Sequence, residues 1–347
     1  MTNQSPIKVG IAGLGRSGWG IHAHAFGHLQ EHFEVVSVCD PDVGRQQEAI
    51  DKFDCLAYGS YEELVADKAI ELMVIATPSH LHASDAVAAM RAGKHVIVEK
   101  PMASDLAGVE EMMAVAKETG QVLTINQNRR YSADFVKVQE VIASGVLGDI
   151  VEIRIHAGGF SRRWDWQTLK EFGGGALNNT GAHFIDMGML LIDDPEPDVF
   201  CHMITTPVYA GDADSHAKVV LKPKQGPVVD IVITHHCAYP QQTWLILGTQ
   251  GSMTCGGNIA QWKYFDPAEA PPLVLDTKPT PDRSYNREQI PWKEETAELV
   301  NDGAADVQEL YRSIFATVRT GAPLTVTPES VRNQILVLEK CREQSPV

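Results

Sequence analysis

The sequence lacks the features that mark disulfide-bonded, zinc-binding and membrane-spanning proteins. Its 347 residues include six cysteines, none in a Cys-x-x-Cys pair or in a Cys/His cluster with zinc-ligand spacing. Scattered cysteines of this kind suit a reducing compartment. No apolar run approaches the ~20 residues of a membrane span. No G-x-S-x-G motif occurs either, so a serine hydrolase is not indicated.

Basic residues are also scarce. Lys and Arg number 29 against 45 Asp and Glu, which gives a formal net charge of −16. Nucleic acids and anionic membranes are bound through clustered Lys and Arg, so neither is expected as a partner. A nucleotide cofactor stays open, because local backbone amides hold its phosphates. The first residues, MTNQSPIKVGIAG, show no basic segment followed by an apolar one, which predicts a cytoplasmic protein without a secretory signal.

The composition that remains is that of a globular protein, with 44% hydrophobic and 21% charged residues. Within the first third, short apolar runs alternate with amphipathic stretches, which predicts βαβ units and a doubly wound parallel sheet of the Rossmann type. The expected strands are residues 8–14, 35–39, 71–76, 95–98 and 121–125. The expected helices follow the first of these strands, to about residue 30, and cover 42–53, 79–92 and 106–119.

After about residue 126, strand-like runs follow one another, which predicts a large, mostly antiparallel open sheet in a second α/β domain. The expected strands are 150–156, 199–205, 217–221, 228–234, 243–248 and 260–265. The expected helices are 133–144, 177–192, 304–319 and 329–343, with a Pro-rich loop at 267–281. We therefore predict a nucleotide-binding domain at 1–125 and a substrate-binding and oligomerisation domain at 126–347, whose last helices are candidates to pack back on the first domain.

A glycine-rich motif closes the first strand and opens a helix. It reads Gly13-Leu14-Gly15-Arg16-Ser17-Gly18. Gly13 allows a tight turn, Gly15 lets the backbone approach a pyrophosphate, and Gly18 allows helix and strand to pack closely. Asp40, at the end of the second strand, can accept hydrogen bonds from both ribose hydroxyls of NAD. The same carboxylate would repel the 2′-phosphate of NADP. Arg45 lies nearby and keeps NADP as the alternative. In this context a plain glycine turn is the weaker interpretation.

Three histidines, His22, His24 and His28, follow this motif. Only His24 and His28 share a helical face, and no cysteine or carboxylate completes a ligand set. We predict surface or cofactor-side histidines and no metal.

The segment Glu99-Lys100-Pro101 follows the fourth expected strand directly. Lys100 therefore lies at the carboxyl end of a parallel strand, where ligands bind. Its amine can hydrogen-bond a substrate hydroxyl and, if desolvated, relay a proton. An ordinary surface Glu-Lys pair at a turn is the alternative.

A second cluster runs from Gly173 to Asp186. Its three glycines are expected to let the backbone approach a ligand. Asn179 and His183 are four residues apart and so share a helical face, with Asp186 on roughly the same side. A histidine with an orienting polar neighbour is suited to general-base work. The alternative is a capped helix with a satisfied histidine.

Aromatic and polar residues near both clusters suit a sugar, because rings stack on sugar faces and polar groups bind hydroxyls. The candidates for substrate contact are Arg130, Tyr131, Arg163, Trp164, Asp165 and Trp166. Core or interface positions for Trp164 and Trp166 are the alternative. At most one of His235 and His236 should point toward a site, because both lie in an expected strand.

Together these motifs resemble the Gfo/Idh/MocA oxidoreductases, the family of glucose–fructose oxidoreductase and inositol dehydrogenase. The resemblance rests on GLGRSG at 13–18, TPSHLH at 77–82, AGKHVIVEKP at 92–101, GVLG at 145–148 and GGGALNNTGAHFID at 173–186. It implies hydride transfer between NAD(P) and a secondary alcohol or anomeric carbon of a sugar, cyclitol or glycoside, and a homodimer or homotetramer formed through the second sheet. It also implies that Lys100 and His183 are catalytic and that further residues line the cofactor site, namely Thr77, Pro78, His82, Glu99 and Asn128.

One departure from the family pattern is Asn179, where Asp is common. An amide can orient the histidine or hold a substrate hydroxyl but cannot ionise. We therefore expect His183 as the base, Lys100 as its assistant and Asn179 as a positioning residue, with Lys100 as principal base the rival. The departure also motivates a non-catalytic nucleotide- or sugar-binding regulator. A variant enzyme that recycles a tightly bound NAD is a further alternative.

Overall fold

The computed structural model describes residues 5–279, 283 and 288–346. Within them, the first sheet consists of six parallel strands in the order β3-β2-β1-β4-β5-β6. The strands are β1 (Ile7–Ala12), β2 (Phe33–Cys39), β3 (Leu56–Tyr58), β4 (Leu72–Ile75), β5 (His95–Val98) and β6 (Leu123–Ile125). The order reverses between β1 and β4, and a crevice for a ligand forms where such a reversal occurs. The Rossmann prediction is confirmed.

The helices of this part cover both faces of the sheet. They are α1 (His24–His28), α2 (Val43–Phe53), α3 (Tyr61–Ala66), α4 (His82–Arg91) and α5 (Leu106–Thr119). The side chains of Asp42 and Asp105 accept backbone N–H groups at the starts of α2 and α5. These caps satisfy donors that a helix start leaves unpaired and so fix where each helix begins.

The second sheet has eight strands in the described residues, ordered β14-β13-β12-β11-β7-β10-β9-β8. They are β7 (Ile150–Gly158), β8 (Asp198–Ile204), β9 (His216–Lys222), β10 (Val228–Thr234), β11 (Trp244–Gly248), β12 (Gly251–Gly256), β13 (Ile259–Tyr264) and β14 (Lys293–Glu298). Neighbouring strands pair antiparallel except β7 with β10, which confirms the mostly antiparallel sheet.

Four helices described in this part complete the fold. They are α6 (Ala133–Ala143), α7 (Ala182–Leu190), α8 (Gly303–Thr320) and α9 (Pro328–Gln344). The end of the chain also reaches the first sheet. The Thr124 hydroxyl of β6 donates to the Val326 carbonyl, between α8 and α9, at 2.8 Å, and Gln127, just after β6, bonds to Gln334 of α9 at 3.2 Å. β6 ends at Ile125, and we keep residue 125 as the proposed domain boundary. No helix in the described ranges is long and apolar enough to cross a membrane.

Several short elements escaped the sequence analysis, namely β3, α3, β12 and β14. β14 has the sequence KEETAE and lies at the sheet edge, exposed along nearly its whole length, so no apolar alternation marks it. The expected loop at 267–281 contains no helix or strand through residue 279, and its last two residues lie outside the described part of the chain.

Candidate active site

The nucleotide loop, residues 13–18, joins β1 to the first helix. Gly13 has φ +89°, and a Cβ there would lie 2.5 Å from the Ala76 carbonyl oxygen. A Cβ on Gly18 would lie 1.8 Å from the Gly13 oxygen, whereas one on Gly15 would meet no heavy atom within 4 Å. The loop is therefore closed on its protein side and open at Gly15, which is the shape that a pyrophosphate requires.

The helix that begins after Gly15 contributes the amides. Helix starts leave their first N–H groups without intrahelical acceptors, and these groups attract phosphate. Arg16 is exposed and Ser17 partly so. The helix continues as a π-helical turn, Gly18–Ala23, before α1. Such turns are rare in proteins and concentrate at functional sites.

Asp40 is buried at the end of β2. Its carboxylate accepts the Leu14 N–H at 2.7 Å and the Asp42 N–H at 2.9 Å. The guanidinium of Arg45, half exposed, lies 3.6 Å from the same carboxylate. An ionised carboxylate has more acceptor sites than these contacts use. Loop, helix start and carboxylate together fit an NAD(P) nucleotide.

The segment after β4 is tied to the turn that carries Lys100. His82 is buried, with Nδ1 2.8 Å from the Pro101 oxygen and Nε2 3.0 Å from the Thr77 oxygen. Burial lowers the pKa of His82. The Thr77 hydroxyl donates to Asp85 at 2.7 Å. His82 therefore connects the segment of Thr77 and Pro78 to the Lys100 turn, and its ring nitrogens are engaged by the protein itself.

Glu99 is the centre of a buried network behind Lys100. Its carboxylate lies 2.9 Å from His22 Nε2, 2.7 Å from Asn126 Nδ2 and 3.1 Å from the Lys100 amide nitrogen. His22 Nδ1 lies 2.7 Å from the Tyr311 hydroxyl of α8. Burial alone would raise the pKa of Glu99, but the hydrogen bonds from His22 and Asn126 and the charge of Lys100 lower it to about 2.

The network corrects one expectation. A carboxylate only accepts, so His22 donates through Nε2 to Glu99. His22 is fully enclosed, so it is not a surface histidine. Glu99 also accepts the Lys100 amide N–H and so fixes the backbone of Lys100.

The Lys100 ammonium faces the second sheet. Nζ donates to the backbone oxygen of Asn179 at 2.9 Å and to its Oδ1 at 3.1 Å. Burial lowers the pKa of Lys100, and Arg16, Arg129 and Arg163 add to that effect, while Glu99 opposes it. No carboxylate of the described residues forms an ion pair with Nζ, and a desolvated amine in this state is suited to proton transfer.

His183 lies at the start of α7, after a second π-helical turn, Leu177–Gly181, that carries Asn179. Its Nδ1 is enclosed and has no hydrogen-bond partner among the described residues. Burial lowers the pKa of His183 well below its usual value, and the charges of Lys100 and Arg129 lower it further. The ring is therefore neutral at pH 7 and able to accept a proton.

Asp186, expected on the same side of the helix as His183, pairs with Arg130, which was predicted to contact the substrate. The Arg130 guanidinium donates to both carboxylate oxygens of Asp186, at 2.8 and 2.6 Å, and both side chains are buried. Asp186 therefore does not orient His183, and the Arg130 side chain is not available to a substrate. The Tyr131 hydroxyl donates to Ser313 Oγ of α8 at 3.1 Å. Asn128 borders a cavity of about 390 Å³ between the first helix and the start of α8.

In the glycine run, residues 173–175, Gly174 and Gly175 are filled by the protein, whereas a Cβ on Gly173 would meet no heavy atom within 4 Å. A Cβ on Gly174 would lie 2.3 Å from the Gln167 oxygen, and one on Gly175, where φ is +108°, would lie 2.0 Å from Asp214 Oδ1. The Asp214 carboxylate accepts the Leu177 N–H at 2.8 Å. Burial raises the pKa of Asp214 to about 6. The glycines therefore admit a carboxylate that caps the helix bearing Asn179, and the expected approach to a ligand is wrong for these two.

A polar chain runs from Lys100 to the segment 163–167. Asn179 Nδ2 donates to Gln167 Oε1 at 3.3 Å, and Arg163 Nη2 donates to the same oxygen at 2.6 Å. Arg163 also forms a bidentate pair with Asp165 at 2.8 and 3.0 Å. Gln167 joins the two predicted groups and was missed, although it lies two residues after Asp165.

Trp164 and Trp166 are exposed, at 82% and 56% of their surface. This exposure excludes core positions for both. The His235 and His236 rings are bonded to neighbouring hydroxyls, His235 to Ser161 at 2.6 Å and His236 to Thr206 at 3.1 Å. In the described ranges no group of three or more His, Cys, Asp or Glu side chains could hold a metal ion.

These features define a nucleotide-binding protein with a candidate active site around Lys100 and Asn179. Comparison with protein families agrees. Residues 7–127 match the model GFO_IDH_MocA, described as an oxidoreductase family with an NAD-binding Rossmann fold, and residues 135–254 match the GFO/IDH/MocA C-terminal domain. The chain belongs to the Gfo/Idh/MocA family, as its motifs predicted.

Relatives cover nearly the whole chain. An uncharacterized oxidoreductase of Schizosaccharomyces pombe is 29% identical over 98% of this chain and 95% of its own. A scyllo-inositol 2-dehydrogenase (NADP(+)) of Bacillus subtilis is 27% identical over 98% of this chain and 94% of its own. Among solved structures, an NAD-binding protein from Listeria innocua has the same fold, with a TM-score of 0.82, 21% identity and coverage of 99% and 98%.

Proposed function

We propose that this protein is an NAD(P)-dependent dehydrogenase acting on a CH–OH group of a sugar, cyclitol or glycoside. The observation that carries the proposal is the Lys100 ammonium, held by Asn179 at the carboxyl end of β5 within electrostatic range of a neutral His183. The bound nicotinamide would accept or deliver the hydride. The family membership and the full-length inositol-dehydrogenase relative support the same chemistry.

The proposed roles follow from charge and hydrogen bonding. Lys100 donates to the substrate oxygen and stabilises the alkoxide that develops as hydride leaves. His183 accepts the hydroxyl proton, because its lowered pKa keeps it neutral. Asn179 positions Lys100, and Gln167 positions Asn179. Lys100 as principal base is the rival assignment, and its own lowered pKa supports it.

We further propose NAD as the preferred nucleotide, because the buried Asp40 carboxylate lies where it would repel a 2′-phosphate. NADP is the alternative, supported by Arg45 at 3.6 Å from Asp40 and by the NADP(+) relative. We also propose a cytoplasmic homodimer or homotetramer formed through the second sheet. Apolar side chains exposed on its strands support this assembly, among them Val151, Phe200, Ile204 and Ile259.

The test is product mass spectrometry with NAD or NADP and a panel of inositols, aldoses, glycosides and sugar acids, read in parallel with absorbance at about 340 nm. Loss of two hydrogens with matching reduced nucleotide is the expected result. A changed sugar without reduced nucleotide would point to internal recycling. Unchanged substrates across the panel, with nucleotide bound, would overturn the proposal in favour of a binding regulator.

The assignment of Lys100 has a matched control. Lys100→Met should reduce kcat by about 10²–10⁴-fold, the usual contribution of acid–base help, while nucleotide affinity stays within a few fold. Lys117→Met, at an exposed position of α5, should change neither quantity. Wild-type turnover in Lys100→Met would exclude Lys100 from the mechanism.

A further inference from the structure

The reaction centre holds a positive charge that the protein leaves unneutralised. Arg129, in the turn after β6, is exposed, and its guanidinium lies over the ring of Phe184, 5.3 Å from the centroid. Phe184 follows His183 directly in α7. No carboxylate of the described residues lies within 4.0 Å of the Arg129 guanidinium. Asp306 is within electrostatic range of Arg129 but forms no ion pair with it.

Two other arginines near the site, Arg130 and Arg163, each form an ion pair with a carboxylate. Arg130 is neutralised by Asp186 at 2.6 Å, and Arg163 by Asp165 at 2.8 Å. Of these three arginines, only Arg129 has no carboxylate partner in the described part of the chain, although carboxylates are plentiful in a sequence with a formal net charge of −16. Stacking on an aromatic ring holds a guanidinium in place and leaves its N–H donors free.

The position of Arg129 suits it to bind the substrate rather than the nucleotide. Arg16 is the exposed cation of the nucleotide loop, beside the helix start that attracts phosphate. Arg129 belongs to the other side of the centre, against α7, and its charge lowers the pKa of both His183 and Lys100. Arg16, Lys100 and Arg129 have no carboxylate within 4.0 Å among the described residues, and the charge of each lowers the pKa of His183. Arg16 belongs to the nucleotide loop and Lys100 has a role in the proposed chemistry, so Arg129 is the cation without an assigned ligand.

We infer that the substrate is an acidic sugar or polyol, and that Arg129 binds its carboxylate or phosphate group. The inference rests on the proposed dehydrogenase function and narrows its substrate class. A planar guanidinium binds such groups through two parallel hydrogen bonds, which fix the orientation of the substrate as well as its affinity. The uncompensated charge would also steer anions into the cleft of an otherwise acidic protein.

The test compares neutral and acidic partners of one carbon skeleton. D-glucose, D-glucuronate, D-gluconate and D-glucose 6-phosphate, together with scyllo-inositol, are titrated into the NADH-loaded protein by calorimetry and assayed for turnover with NAD. The glucuronate and gluconate arms report a carboxylate, and the phosphate arm reports a phosphate. The variants are Arg129→Gln, Arg129→Lys and the control Arg91→Gln, which removes an exposed arginine at the end of α4.

We expect an acidic sugar to bind at least 10-fold tighter than its neutral partner. Arg129→Gln should reduce the affinity for the acidic sugar by about 10- to 100-fold, the range for hydrogen bonds to charged groups. The affinities for neutral sugars and for NADH should not change. Arg129→Lys should restore part of the loss, and Arg91→Gln should have no effect.

Two results would overturn the inference and are separable from failure of the function. Turnover confined to neutral sugars, unaffected by Arg129→Gln, would refute the acidic substrate and leave the dehydrogenase intact. An equal loss of NADH binding in Arg129→Gln would assign the residue to the nucleotide. If acidic sugars bind through Arg129 but no compound is turned over, the proposed function fails while the anion site stands.

Discussion

The chain contains two glycine-rich turns that look alike in sequence and differ in structure. The nucleotide loop, residues 13–18, leaves open space beside Gly15, which lies between two glycines that pack against protein. In the glycine run, residues 173–175, Gly174 packs against the Gln167 oxygen and Gly175 against the Asp214 carboxylate, and the open glycine, Gly173, comes first. At Gly15, the missing side chain leaves room for a molecule from outside. At Gly174 and Gly175, the missing side chains make room for the protein itself. Glycine spacing alone does not tell these uses apart, because both need the backbone to be approached closely.

The largest loss of stability should come from a side chain added to the glycine run, residues 173–175. Gly175→Ala places a Cβ 2.0 Å from Asp214 Oδ1 at a residue with φ +108°. Backbone strain and overpacking together should lower the free energy of unfolding by about 3 kcal/mol. Thermal or urea denaturation measures the loss, while the NADH affinity of the folded fraction should stay unchanged. A variant as stable as wild type would show that Asp214 is not held as described.

The corresponding substitution in the nucleotide loop, residues 13–18, should affect nucleotide binding rather than stability. Gly15→Ala adds a methyl group that meets no heavy atom within 4 Å, so stability should stay the same or rise by about 0.5 kcal/mol. NADH affinity, measured by nucleotide fluorescence, should fall by about 10-fold or more, because the methyl group occupies the path of the pyrophosphate. Unchanged affinity would mean that the nucleotide does not approach at Gly15.

A smaller effect should appear in how stability depends on pH, because the glycine run packs against the Asp214 carboxyl group. Burial raises the folded-state pKa of Asp214 to about 6, above its ordinary value of 3.8. The native state therefore holds a proton that the unfolded state has lost, and stability should fall by about 2 kcal/mol as the pH rises from about 4 to 6.5. Asp214→Asn cannot titrate, so the stability difference between variant and wild type should change in favour of the variant over that window. A difference that does not vary with pH would show that Asp214 titrates normally.

The nucleotide loop was predictable because its evidence is local. The strand β1, the three glycines and Asp40 lie within 34 residues of one another, and each has a backbone role that residue type reveals. Lys100 was predictable for a similar reason, since an apolar run that ends at Val98 places it at a strand end. Family motifs added His183, which residue type alone left undecided.

Contacts between distant segments account for most of what the sequence did not show. Asp214 is about 40 residues from the glycines that receive it, and no local pattern links them. The sequence does not show which of the adjacent residues Arg129 and Arg130 is buried. The conformation of the 3-10 turn, Asn128–Tyr131, buries the side chain of Arg130 and leaves that of Arg129 exposed. His22 was ambiguous for the same reason, because its partners Glu99 and Tyr311 lie 77 and 289 residues away.

The return of the last helices has a consequence for how the chain reaches its native state. Tyr311 of α8 completes the hydrogen-bond network behind Lys100, and residues of α9 satisfy groups next to β6. During synthesis, the nucleotide-binding half therefore emerges long before the segments that finish it. The turn that carries Lys100 can settle only after Tyr311 of α8 has been made and has reached His22. Contacts between such distant segments make assembly of the candidate site a late event that depends on α8 and α9.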